Sequence, residues 1–307
     1  MFLLLATALA ADTVTLTYTP GAPGPPALRC VGERERRAGP QVAKNRLEVR
    51  AVPRAEKVGA TWAIGTASIE VVAASADPPP PPGAPSLEAL LARADELTPD
   101  MLLDDQGRWV GVEAVSPEVQ DAALTALLTA ANLPAALVDR LKAAVLPTLG
   151  PDAVTARLRE SWYVHTGHWL GRTLPVGRSE IGEAKAGDPL AAGTTMTWSA
   201  TRRVACGGGG GGPTDCVELR LDARSPAEAV TAQAASLVTG VAHAIGVPPD
   251  QIRVEGASLT TVWTLVVDPK TLTAWSTERR RVTDAQMSVG GQPIAGGTTD
   301  VFRCVAE

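Results

Sequence analysis

The chain lacks most of what covalent or phosphate chemistry requires. Its one glycine run, Gly207 to Gly212, is not followed by Gly-Lys-Ser/Thr, so it is no phosphate loop. No Gly-x-Ser-x-Gly elbow occurs, which removes one large hydrolase class. There are only three histidines. The close pair, His165 and His168, would need Glu160 or His243 to complete a zinc set, and no His-Glu-x-x-His helix holds them. Cys-x-x-Cys is absent, so neither a redox pair nor a zinc knuckle is indicated. Asp104-Asp105-Gln106-Gly107 lacks the remaining ligands of a calcium loop and reads as a hairpin turn. No acidic pair stands out as general acid and base. The reading is therefore a non-enzyme with no cofactor and no metal.

Basic excess is also missing. Lys and Arg total 28 against 33 Asp and Glu, a net charge of -5, which leaves no overall basic surface for a nucleic-acid partner. The mixed runs Glu33 to Arg37 and Glu278 to Arg281 read as solvated strand faces. After residue 10 no apolar run is long enough to span a membrane.

What is present points to export. Met1 to Ala10 is apolar, and Ala8-Leu9-Ala10 fits a small-x-small cleavage pattern, so a signal peptide over 1–10 and a mature domain over 11–307 are expected. The expected location is periplasmic or secreted. The four cysteines suit an oxidising compartment and allow three connectivities. The expected pairs are Cys206 with Cys216, across the glycine loop, and Cys30 with Cys304, tying the terminal strands.

Periodicity sets the fold class. Val14, Leu16 and Tyr18 alternate with threonines. Similar alternation marks 28–37, 47–51, 60–73, 192–205, 217–222, 252–267, 272–287 and 294–305. In 192–205, Met196, Trp198, Ala200 and Val204 share one side. Helical spacing replaces it over 117–163, in three pieces opened by Ser116-Pro117, Pro134 and Pro151. A further helix follows Ser225-Pro226, with Val230, Ala234, Leu237, Val238, Val241 and Ile245 in register and Thr231 on its other face. A proline-rich spacer occupies 78–85, and Ser86 opens a short helix. The expected architecture is α+β: a single domain with a curved antiparallel β-sheet, half-barrel-like, covered by the central helices.

Seven tryptophans stand against two Phe and two Tyr. Trp198 and Trp263, with Met196 and Tyr18, fall on apolar strand faces and are the candidate ligand-binding residues. Tryptophan there either lines a pocket or fills a core.

Taken together, the Leu102 to Val115 strand-turn-strand unit, the helices up to Trp162, Leu174-Pro175-Val176-Gly177, and the strand pair around Asp268-Pro269-Lys270 resemble a group of exported bacterial proteins. More distantly, the layout is similar to the half-barrel carriers of lipoproteins and lipids in the bacterial envelope. That resemblance implies an apolar groove between sheet and helices, and no activity. Two functions stay open: an envelope protein holding an apolar ligand or lipid, and a structural or interaction protein with a filled core. Oligomeric state is not legible.

Overall fold

In the computed structural model, the structure describes residues 12–79, 98–114, 150–207, 215–245 and 251–307, with isolated positions between 116 and 139 and at 248. The expected signal peptide, residues 80–85 of the spacer, the helix expected after Ser86 and most of the first two expected central helices lie outside the described residues.

Alternating side chains make strands here because only one face of each is buried. Two long meanders result. The first runs β2 (Leu28–Ala38), β3 (Gln41–Val58) and β4 (Thr61–Asp77). The second runs β11 (Ile252–Val267), β12 (Ala274–Val289) and β13 (Gln292–Ala306). The shorter strands are β1 (Thr13–Thr15), β5 (Met101–Leu103), β6 (Trp109–Val112), β7 (Thr173–Pro175), β8 (Arg178–Glu183), β9 (Thr195–Val204) and β10 (Cys216–Arg224).

Eleven strands form one curved, open sheet in the order β6-β5-β4-β3-β2-β13-β12-β11-β10-β9-β8. Every neighbouring pair is antiparallel. β1 and β7 make a separate two-stranded ribbon. Among the described residues two complete helices stand against this framework, α1 (Pro151–Trp162) and α2 (Ala227–Ile245), so the class is α+β. Among the described residues no helix is long and apolar enough to cross a membrane.

The main core sits over the β9–β11 end of the sheet. Met196, Trp198, Ala200, Leu219, Leu221, Trp263 and Leu265 supply its sheet side. Val14, Leu16, Leu174, Val164 and Trp169 close it from above. Each large apolar side chain withdrawn there contributes about 1.5–3 kcal/mol.

Both expected disulfides form, Cys30–Cys304 and Cys206–Cys216. Cys30 lies directly opposite Cys304 on the paired strands β2 and β13, and Val49 on β3 packs against the bridge. The 33–37 run is the solvated face expected. Arg46 pairs with Glu33, and Arg37 and Lys44 both reach Glu35. Such exposed pairs contribute about 0–1 kcal/mol each.

Helix starts follow the capping signals. Val119 N donates to Ser116 Oγ at 3.2 Å, and Glu118, Val119, Asp121, Ala122 and Thr125 are helical. Pro151 occupies the first turn of α1 after an extended Gly150, with Asp152 beside the free N–H groups.

Three expectations need correction. The first strand stops at Thr15: Leu16, Thr17 and Thr19 donate instead to Arg172, Pro269 and Thr271 carbonyls, which leaves no continuous ladder. Their alternation still holds, with Leu16 buried and Tyr18 half-buried. Second, the β9–β10 register shifts beside Leu219, so one β9 residue, Thr201, has no partner. That bulge flips the alternation. Val204 leaves the core side, and Arg203 comes opposite Val217 and bonds Asp12 and Asp215. Third, α2 is rotated from its expected face. Leu237 is exposed, whereas Thr231 turns inward and its Oγ1 accepts from Ala257 N at 2.9 Å. A register shift in β11 between Val254 and Gly256 interrupts the ladder just before that N–H, and a buried donor needs an acceptor.

Candidate functional site

α1 does not end in a normal turn. It widens into a π-helical segment, Tyr163–Gly167, which carries His165 and is capped at its C-terminal end by His168. A Cβ at Gly167 would lie 2.6 Å from the Trp162 ring, so only glycine fits there. Trp162 Nε1 donates to Gly107 O at 3.0 Å, and Trp169 Nε1 to Val164 O at 2.8 Å. These bonds fix the segment over the sheet. π segments of this kind often sit at functional sites.

The two histidines have separate roles. His165 Nδ1 donates to Ser161 O at 2.7 Å, and burial holds its pKa below the ordinary value. Ser161 Oγ is 3.4 Å from the same Nδ1. Because that nitrogen carries its proton toward the carbonyl, it cannot serve Ser161 as a base, and no Ser-His nucleophile forms. His168 lies within a cage. Its Nδ1 is 3.2 Å from the Tyr163 hydroxyl, and the rings of Trp169 and Trp198 stand edge-on at 5.0 and 4.9 Å between centroids. Its Nε2 is buried with no hydrogen-bond partner among the described residues. Burial, with the Arg172 guanidinium adding, depresses its pKa to about 3. Among the described residues no three His, Cys, Asp or Glu side chains converge as a metal set.

A cleft of about 190 Å³ opens between α1 and the sheet. Arg157, Glu160, Ser161 and His165 form its helical wall. Trp263, Arg279, Arg281 and Phe302 form its sheet wall. Strand register explains the second set. Arg279 on β12 lies between Trp263 on β11 and Phe302 on β13. Two residues along, Arg281 lies between Thr261 and Asp300 on the same face.

Among the described residues neither arginine has an ion pair or side-chain hydrogen bond, whereas Asp300 is taken by Arg34 and Glu278 by Arg303. Desolvation by burial lowers the Arg279 pKa, and repulsion from Arg281 lowers it further, against the pull of Asp300 and Glu160. Burial raises the Glu160 carboxyl above its usual range, although Arg281 and Arg279 oppose this. The cleft is thus a cationic mouth with an aromatic floor. Guanidiniums held this way match carboxylate or phosphate oxygens.

The candidate ligand residues fall in different places. Met196, Trp198 and Trp263 all belong to the main core, and Tyr18 packs against it. Of the four, only Trp263 reaches the cleft. Trp198 is fixed on both sides. Its Nε1 donates to Glu180 at 3.0 Å, and Arg172 stands 5.0 Å over its ring. The 278–281 run was read from sequence as a solvated strand face, and Arg279 and Arg280 are exposed on it while Glu278 and Arg281 are half-buried; the α1 wall opposite Arg279 and Arg281 is what the sequence did not show. Their signal was the i, i+2 spacing on a strand whose alternation also carries buried residues, but nothing in the chain says which wall stands opposite.

No family model matches the chain, and no curated protein matches it. A solved structure described as lipid-protein interactions in lipovitellin is similar over 92% of this chain, at 8% identity and a TM-score of 0.38. The match covers 25% of that protein, so this chain spans about a quarter of its length.

Proposed function

We propose that this chain is an exported, non-enzymatic binding protein that holds the anionic group of a ligand between α1 and the sheet. The carrying observation is the pair Arg279 and Arg281, set side by side against Trp263 and Phe302 with no ion pair among the described residues and only the Glu160 carboxyl facing them across the cleft. Like charges this close repel, and a bound anion relieves that repulsion. The aromatic floor suits an apolar tail, so an amphipathic lipid with a carboxylate or phosphate head meets both features. Two disulfides fit an extracellular or periplasmic protein.

Titration calorimetry with dodecanoate, inorganic phosphate and dodecanol tests this. Dodecanoate should saturate the protein, phosphate should compete with it, and dodecanol should bind far more weakly. Arg279→Ala and Arg281→Ala should each cost about tenfold in affinity, about 1.4 kcal/mol. Absence of saturable binding by either anion to folded protein refutes the reading. The alternative is a structural or interaction protein. It draws on the dense packing of Met196, Trp198, Leu219 and Leu221 in the core.

A further inference from the structure

The eleven-stranded sheet ends in two unlike edges. One is β6, which is four residues long and lies beside α1. The other is β8, six residues long, with five of its six residues exposed. At its middle stands Ile181, 76% exposed, the highest value of any large hydrophobic side chain among the described residues.

The backbone of β8 is poised on one side only. Ala184 N donates to Thr194 O at 2.8 Å, and β8 pairs with β9 from Arg178↔Ala200 to Glu183↔Thr195. By the two-residue repeat of an antiparallel ladder, Arg178, Glu180 and Gly182 exchange bonds with β9. Ser179, Ile181 and Glu183 therefore turn their N–H and C=O groups outward. No described strand takes them up. An uncovered edge with an apolar centre is a template for another strand.

We propose that a second copy of this chain takes that edge, with β8 pairing antiparallel to β8 about a twofold axis at Ile181. A twofold between antiparallel edges runs perpendicular to the sheet, so opposed residues share a face and their numbers sum to an even value. Three central registers meet this condition. Centring on Glu180 sets two glutamates directly opposite, which is destabilising. Centring on Gly182 sets Ile181 against Glu183. Centring on Ile181 sets it against its own copy, Ser179 against Glu183, and Glu180 against Gly182. Only this last register matches apolar to apolar and opposes no like charges. It also places Ser179, Ile181 and Glu183 in the hydrogen-bonded pairs.

Gly182 and Glu180 keep the opposite face occupied from within. A Cβ at Gly182 would come 2.7 Å from the Trp198 ring, and Glu180 accepts from Trp198 Nε1. The inner side of β8 is thus braced by the core while its outer edge stays open.

Sedimentation velocity over a concentration series tests the pairing with the full chain. The protein should pass from monomer to dimer, and Ile181→Lys should raise the dimer dissociation constant at least tenfold. Register is read by crosslinking. Opposed residues in hydrogen-bonded pairs have Cα atoms about 5.5 Å apart, within disulfide reach. Ile181→Cys should therefore form a covalent dimer on oxidation. Ser179→Cys should not, because its copy lies four residues along the partner strand, roughly 13 Å away. A protein that stays monomeric throughout, a dimer indifferent to Ile181→Lys, or crosslinking equally good at both positions overturns the proposal. None of these outcomes bears on the arginine cleft.

Discussion

Acid should destabilise this fold through His168. The side chain is 3% exposed and caged by Tyr163, Trp169 and Trp198, with the Arg172 guanidinium close enough to repel a cation there. Its pKa falls from 6.5 to about 3, first because burial penalises the cation and then because Arg172 repels it. The unfolded chain takes up this proton as pH drops below the ordinary value, while the fold refuses it until about pH 3. Stability is therefore full above pH 6.5 and declines as pH falls toward 3, where the loss levels off. Between pH 7 and pH 4.5 the unfolded state gains nearly two pKa units of binding, a loss of about 2.5 kcal/mol. His165 is shifted the same way, and carboxylates titrate too, so the test is a difference. Urea unfolding with intact disulfides at pH 7 and pH 4.5 gives the loss for the native chain and for His168→Gln. The native chain should lose about 2.5 kcal/mol more than the variant. Equal losses in the two proteins refute the caged neutral histidine.

The two disulfides should differ in worth. On loop entropy, replacing Cys30 and Cys304 by alanine costs about 5 kcal/mol and replacing Cys206 and Cys216 about 3 kcal/mol. Chemical denaturation of the two double variants checks the order, and a larger loss at the glycine loop contradicts it. Gly65→Ala should be severe for its size. A Cβ there would lie 1.8 Å from Asp100 Oδ1, and Asp100 is the buried partner of Arg54. Displacing that carboxylate should cost about 2–4 kcal/mol, read as a lowered Tm, whereas Gly111→Ala, also in a strand but with no atom within 4 Å of its Cβ and an ordinary φ, serves as the control.

The legible part of this fold is the part governed by local period. Val14 and Leu16, Met196 and Trp198, and Leu219 and Leu221 are buried as alternation requires. Ser116 caps, Gly107 takes the positive φ of 76° expected of the hairpin turn, and the cysteines pair as expected. Errors begin where one extra residue enters a ladder. Thr201 sends Arg203 to the face expected of Val204, and the β11 shift beside Ala257 draws Thr231 inward in place of Leu237. No local pattern announces a bulge, because its cause is the partner strand. The strand over 47–51 was likewise too short. β3 continues through Pro53 to Val58, because the register shift at Val52 accommodates a residue without an N–H. Arg279 and Arg281 were legible as residues of one face and illegible as a site, since their opposite wall is more than a hundred residues away in the chain.

The place of β13 has a consequence for the timetable of synthesis. It follows every other strand in sequence, yet it lies in the middle of the sheet, between β12 and β2. The β2–β4 meander can form early, but its β2 edge has no neighbour until residues 292–306 have been made. A growing chain must carry that open edge through the synthesis of more than two hundred residues. An unpaired edge of that length is the kind of surface that pairs wrongly while it waits. Cys30 waits along with it, and its thiol meets Cys304 only when the two meanders join. The oxidation of that pair therefore records the completion of the sheet.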